Sequence, residues 1–191
     1  MMNIGIIIGS TRPGRNGEAI GRWVHEIASS RSDARFELVD IADYRLPLFD
    51  EPMSPIMGQY SKEHTVAWSK KIAEFDGFVF VTPEYNKSIP GALKNAIDFL
   101  YHEWNNKAAG IVAYGGGGGS RAAEALRLIL GELMVADVRA QVGLSLHTDF
   151  ENYTVLKPGA HQEAAVHAML DQLVSWSEAL HTVRQKEKAH A

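Results

Sequence analysis

The sequence predicts an α/β fold in which a five-stranded parallel sheet carries helices on both faces. Three observations lead there. Short β-branched runs alternate with stripes of helical period from end to end of the 191-residue chain. Each run is separated from the next by a helix or a long crossover, as parallel pairing requires. Glycines, hydroxyls and arginines gather just after the first, third and fourth runs, where open α/β sheets bind ligands.

In chain order, residues 3–9 form a nearly continuous isoleucine run, the mark of a strand buried on both faces. Ile20, Trp23, Val24 and Ile27 recur at i, i+3, i+4 and i+7, a helix stripe. Residues 35–40 alternate and read as a second strand, nearer an edge. Residues 41–60 hold Pro47, Pro52, Pro55 and Gly58 without a sustained period. They read as a long loop, a kind that is functional or contact-forming in compact domains. Trp68, Ile72 and Phe75 mark a helix, and 77–82 a third strand. Pro90 suits the first turn of the next helix, where its missing N–H costs nothing. Leu93, Ala96, Ile97, Leu100 and Trp104 form that helix's buried face. Residues 108–114 are strand four, Leu126, Ile129, Leu130 and Leu133 a helix, and 138–146 strand five. A last helix runs from Gln162 to about Gln185, with Val166, Leu170, Leu173 and Val174 inward. No composition break or repeat divides the chain, so 1–185 read as one domain and 186–191 as a polar, frayed tail.

Composition excludes several function classes. The net charge is −4 and the 19 Lys and Arg are scattered, so no nucleic-acid footprint is present. No apolar run approaches the ~20 residues of a membrane span. The N-terminal residues lack the basic region of a secretory signal, which makes a cytoplasmic protein the expectation. There is no cysteine, and the eight histidines show no metal-ligand spacing, so no metal is expected.

The first loop, Gly9-Ser10-Thr11-Arg12-Pro13-Gly14-Arg15-Asn16-Gly17, opens a helix. It offers free backbone N–H groups at the positive end of a macrodipole, with hydroxyls and two guanidinium groups beside them. That is a phosphate cradle. It is not a nucleoside-triphosphate loop: Arg15 and Asn16 stand where Lys and a magnesium-binding hydroxyl are needed. A monophosphate bound without metal remains. After strand four come Gly115, Gly116, Gly117, Gly118 and Gly119. A flexible linker has the same composition, but this run stands between a buried strand and a helix. Its lack of side chains lets a flat ligand approach the backbone. Tyr85 and Asn86, in the loop after strand three, can face an aromatic ring and its polar edge, although either alone reads equally well as a plain loop residue.

With these motifs the sequence resembles the NADPH-dependent FMN reductase family of flavodoxin-like proteins, which includes quinone, azo-dye and chromate reductases. The likeness rests on the block from Gly9 to Arg12, on Pro83-Glu84-Tyr85-Asn86 continuing through Pro90, Lys94, Asn95 and Asp98, and on Tyr114-Gly115-Gly116 with Arg121-Ala122. It implies a flavodoxin-like three-layer sandwich of strand order 2-1-3-4-5, FMN as cofactor, and NADPH or NADH as co-substrate. It further implies that Ser10, Thr11, Arg12, Arg15, Asn16 and Gly17 hold the FMN phosphate. Pro83, Glu84, Tyr85 and Asn86 would line the ribityl chain and flavin edge, and Gly115, Gly116, Gly117 and Gly118 the pyrimidine side. The expected partner is a small-molecule electron acceptor, in a homodimer or homotetramer with 41–60 or the 94–104 helix as interface parts. The segment after Arg12 departs from members with Ser and Asn there, and the glycine loop is about one residue shorter. No protein acid or base is assigned, since the flavin N5 itself takes and returns the hydride. A flavodoxin-type electron carrier is the alternative, against which the mild charge of −4 argues. A flavin-binding sensor is a third reading.

Overall fold

The isoleucine run folds as β1 (Met2–Ile8), the second strand of the sheet, with Ile4, Ile6 and Ile7 fully buried. In the computed structural model, which describes residues 1–190, β2 (Ala34–Asp40), β3 (Gly77–Pro83), β4 (Lys107–Gly115) and β5 (Val135–Ser145) complete it. All neighbours pair in parallel, in the order β2-β1-β3-β4-β5. The crossovers are α1 (Gly17–Ser29), α2 (Glu63–Ala73), α3 (Gly91–Asp98) and α4 (Ser120–Glu132). A short antiparallel hairpin, β6 (Phe150–Glu151) and β7 (Val155–Leu156), precedes α5 (Ala160–His190).

Period-two alternation divides the core in two. Ile7, Phe78, Phe80 and Ile111 point to one face and pack with Trp68, Leu93, Ile97, Leu126 and Leu130 of α2, α3 and α4. Ile4, Ile6, Val79, Val81 and Val112 point to the other, against Ile20 and Val24 of α1 and Val166, Leu170 and Leu173 of α5. Each fully buried Ile or Phe contributes about 1.5–3 kcal/mol of hydrophobic stabilisation. Both layers are therefore needed.

Three features differ from the sequence expectations. The third helix ends at Asp98, although its apolar period continues to Trp104. The buried indoles of Trp68 and Trp104 donate to the Ala96 and Ile97 carbonyls, at 2.8 and 3.1 Å. Those carbonyls would otherwise accept from the amides of Leu100 and Tyr101. The β6–β7 hairpin was not expected, because two-residue strands carry no readable alternation. The last helix runs to His190, through residues read as a polar tail, while Ala191 lies outside the described residues.

The 41–60 segment is tethered through its middle. Asn95 accepts from the Phe49 amide and donates to the Pro47 carbonyl, at 2.9 and 2.7 Å. Glu51 accepts from the amides of Ser61 and Lys62 and from the Ser61 hydroxyl, so it caps α2, whose own N-cap Lys62 supplies no side-chain bond. Burial works to raise the Glu51 pKa, but the hydrogen bonds from Ser61 and Lys62 outweigh it and hold it at about 2. No helix among the described residues is long and apolar enough to cross a membrane, and no group of His, Asp and Glu forms a metal cluster.

Candidate cofactor site

The three loops lie at the carboxyl ends of β1, β3 and β4, which are neighbours in the sheet. The first leaves the strand with the Gly9 amide bonded to the Val81 carbonyl at 2.8 Å. It then closes a turn through Arg15 N–H to the Arg12 carbonyl at 3.2 Å. The amides of Thr11, Gly14 and Asn16 meet no acceptor among the described residues. Asn16 is the N-cap of α1, yet its side chain makes no cap bond; it donates to the Tyr153 carbonyl at 2.8 Å. These loop amides at the N-terminus of α1 are thus open to an external anion, while the Gly17 amide meets the Tyr114 hydroxyl.

Around these amides the side chains fall into two groups. Ser10 is 1% exposed, and its Oγ lies 3.4 Å from the Tyr85 hydroxyl and accepts from the Arg12 amide at the same distance. Thr11 and Arg12 are exposed, and the Arg12 guanidinium has no ion-pair partner among the described residues. Arg15, expected on the phosphate, also pairs with Asp40 at the end of β2, whose other oxygen accepts from the Ala42 amide at 2.9 Å. One arginine is free to meet an anion; the other is already shared with a carboxylate.

The loop after β3 begins at Pro83. Glu84 donates its amide to the Tyr114 carbonyl at 2.8 Å. Its carboxylate accepts from the Arg121 Nε at 2.8 Å and the Arg121 amide at 3.1 Å, at the favourable positive end of α4. Glu84 therefore clamps two loops together and is not free for acid–base work. Tyr85 and Ser88 exchange both backbone bonds, at 2.9 and 3.0 Å, across Asn86 and Lys87, whose φ angles are 50° and 68°. That tight, left-handed turn holds Tyr85 and Asn86 outward.

In the glycine loop the Gly118 amide returns to the Gly115 carbonyl at 3.1 Å. Gly119 has φ of 73°, and a Cβ there would lie 2.5 Å from the Tyr114 amide nitrogen, so only glycine fits. At Gly116, Gly117 and Gly118 the opposite holds: nothing approaches within 3.4 Å of where a Cβ would stand. The loop presents a bare backbone face.

Two parts of the site were missed from sequence. Tyr114, 5% exposed, brings its hydroxyl beneath the first loop, where a Cβ on Gly17 would lie 2.8 Å from it. Burial, helped by Tyr85, raises its pKa against the opposing pull of Arg12, the Gly17 amide and Ser10. Strand parity was the available signal: Tyr114 shares the face of Val112, towards α1. The second part is the segment from Ser145 to the β6–β7 hairpin. Buried Asp149 accepts from the Ser145 amide at 2.7 Å and from Gln162. This sets His147 beside Gly116 and edge-on to Tyr153, with ring centroids 5.6 Å apart. No local pattern announces it.

These residues fit FMN: uncapped amides and a free arginine suit a phosphate, and a bare glycine face two strands away at the same sheet edge suits a flat ring. The sequence pattern of the NADPH-dependent FMN reductase family matches residues 2–149. An NAD(P)H-dependent FMN reductase of Schizosaccharomyces pombe is 46% identical over 146 residues, spanning 75% of this chain and 73% of that protein. A quinone reductase of Pseudomonas putida is 33% identical over 132 residues, spanning 65% of this chain and 67% of that one. Among solved structures, the flavoenzyme NAD(P)H:(acceptor) oxidoreductase FerB of Paracoccus denitrificans superposes with a TM-score of 0.72 over 94% of this chain and 98% of its own, at 22% identity, which speaks for the flavodoxin-like fold. The chain belongs to the NADPH-dependent FMN reductase family and is an FMN-dependent oxidoreductase that uses NAD(P)H.

Proposed function

We propose that this protein passes a hydride from NAD(P)H, by way of bound FMN, to quinones, free flavin or similar small acceptors. The observation that carries the reading is the bare backbone of Gly116, Gly117 and Gly118 at the same sheet edge as the open amides of the first loop, a face against which a flat flavin ring can lie. The name of the Pseudomonas putida relative supports quinones as the acceptor class.

FMN, when bound, supplies the two-electron chemistry, so the protein's work is binding and orientation. Ser10, Thr11, Arg12, Asn16 and Gly17 hold the phosphate by hydroxyl, guanidinium and backbone donors. Arg15 reaches it while sharing its charge with Asp40. Pro83, Glu84, Tyr85 and Asn86 line the ribityl chain and ring edge, Glu84 by keeping the loops in register. Gly115, Gly116, Gly117 and Gly118 lie along the pyrimidine side. No side chain is assigned as acid or base.

Residues 1–185 act as one cofactor-binding domain, with 186–191 as an appended polar segment. The protein works as a homodimer or homotetramer, a reading supported by exposed Leu48, Phe49, Met53, Ile56 and Met57 in the 41–60 segment. Its place is the cytoplasm, where reduced nicotinamides are available. Anaerobic mixing of the FMN-loaded protein with NADPH or NADH tests the reading. The flavin absorbance should bleach stoichiometrically and return on adding a quinone. No bleaching by either nicotinamide, with reduction only through a separate reductase, would instead mark an electron carrier.

A further inference from the structure

Tyr114 is the buried polar group for which the reading above has no use. It is the penultimate residue of β4, on the face covered by α1 and α5, and its hydroxyl has Ser10 and the Gly17 amide as hydrogen-bonding neighbours. The Tyr85 hydroxyl meets the same Ser10 Oγ from the β3 side, at 3.4 Å. Three hydroxyls from three strand ends thus converge under one helix terminus. The Gly17 amide can only donate, so it occupies the phenol oxygen and leaves the phenol's own proton to be placed elsewhere. Ser10 Oγ is already approached by the Arg12 amide and by Tyr85. An anion seated in the loop would offer the phenol a charged acceptor, a stronger partner than the shared, neutral Ser10 hydroxyl. The identity of residue 17 agrees: any side chain there would displace the phenol.

We propose that the Tyr114 hydroxyl donates to the phosphate of the cofactor and helps select a phosphorylated flavin over an unphosphorylated one. This rests on the FMN reading above, and it makes Tyr114 a binding residue of the site. The test is equilibrium titration of the apo-protein with FMN and with riboflavin, read beside the ³¹P resonance of bound FMN. Tyr114→Phe should weaken FMN binding roughly tenfold to a hundredfold, the loss of one hydrogen bond to a charged group. It should leave riboflavin binding unchanged and shift the ³¹P resonance. Gly17→Ala, which pushes the phenol aside, should reproduce the loss, and it should add little when combined with Tyr114→Phe. An FMN-to-riboflavin affinity ratio equal to wild type in Tyr114→Phe overturns the proposal. Should that variant fail to fold, an unchanged ratio in Gly17→Ala overturns it in the same way. A wild-type protein that itself binds both flavins equally overturns the phosphate reading as well, so the two failures are distinguishable.

Discussion

The loops after β1 and β4 flank the same end of the sheet, yet they are built on opposite principles. The first keeps donors unspent: amides without acceptors, an N-cap residue that does not cap, and an arginine without a carboxylate. The second spends everything on shape, with no side chain on its outer face and a backbone packed against Tyr114 on its inner one. One loop is rich in open donors, and the other is bare of side chains. Affinity for the phosphate and access to the ring should therefore be separable by mutation.

The largest effect is expected where shape is tightest. Gly119→Ala places a methyl against the Tyr114 amide at a left-handed φ. It should cost about 3 kcal/mol of stability and lower the apo-protein's melting temperature by about 10 °C. Unchanged melting would mean that the loop is not held by packing.

Next in size, Arg12→Ala should weaken FMN binding by about 2 kcal/mol while leaving riboflavin binding and apo-protein melting unchanged. Parallel losses for both flavins in titrations would erase the distinction between the two loops. Smaller again, Gly117→Ala adds a methyl to the open face, where Arg121 is the nearest neighbour at 3.5 Å. It should weaken FMN and riboflavin alike, by about 1 kcal/mol, because the ring and not the phosphate loses contact. A loss confined to FMN would place the phosphate at the wrong loop.

A separate effect, read through pH and not through flavin affinity, belongs to neither loop. The Glu51 pKa is held at about 2, against an ordinary value of 4.5. A carboxylate lowered on folding stabilises the protein above its unfolded pKa, and that contribution is lost as pH falls through the folded value. Apo-protein stability should therefore decline between pH 4.5 and about 2, and Glu51→Gln should flatten that part of the profile. An unaltered slope in Glu51→Gln would assign the decline to other carboxylates.

Much of this was legible beforehand because it is local. The isoleucines of β1 and the stripe of α1 report burial within a few residues of each other, so period alone finds them. The glycine run and the first loop were legible for the same reason, since donors and missing side chains are properties of the segment itself. Arg15 shows the limit. Its charge was visible, but its partner Asp40 lies 25 residues away on a neighbouring strand. Nothing near Arg15 says that the guanidinium is already engaged.

The sequence by itself determined the alternation of strands and helices, the two-faced sheet, and the three loops at its ligand-binding edge. Hydrophobic period and backbone freedom are written within each segment. Only the tertiary structure decided where α3 stops, because two indoles from outside that helix take its carbonyls. Only it placed Tyr114 under Gly17, Glu84 on Arg121, and the His147–Tyr153 pair on the Asp149 anchor. Each of these joins groups from different elements, or sets one polar bond inside a fold whose hydrophobic order is already complete. Such bonds follow from which strand ends become neighbours, and that is settled by packing, not by any pattern along the chain.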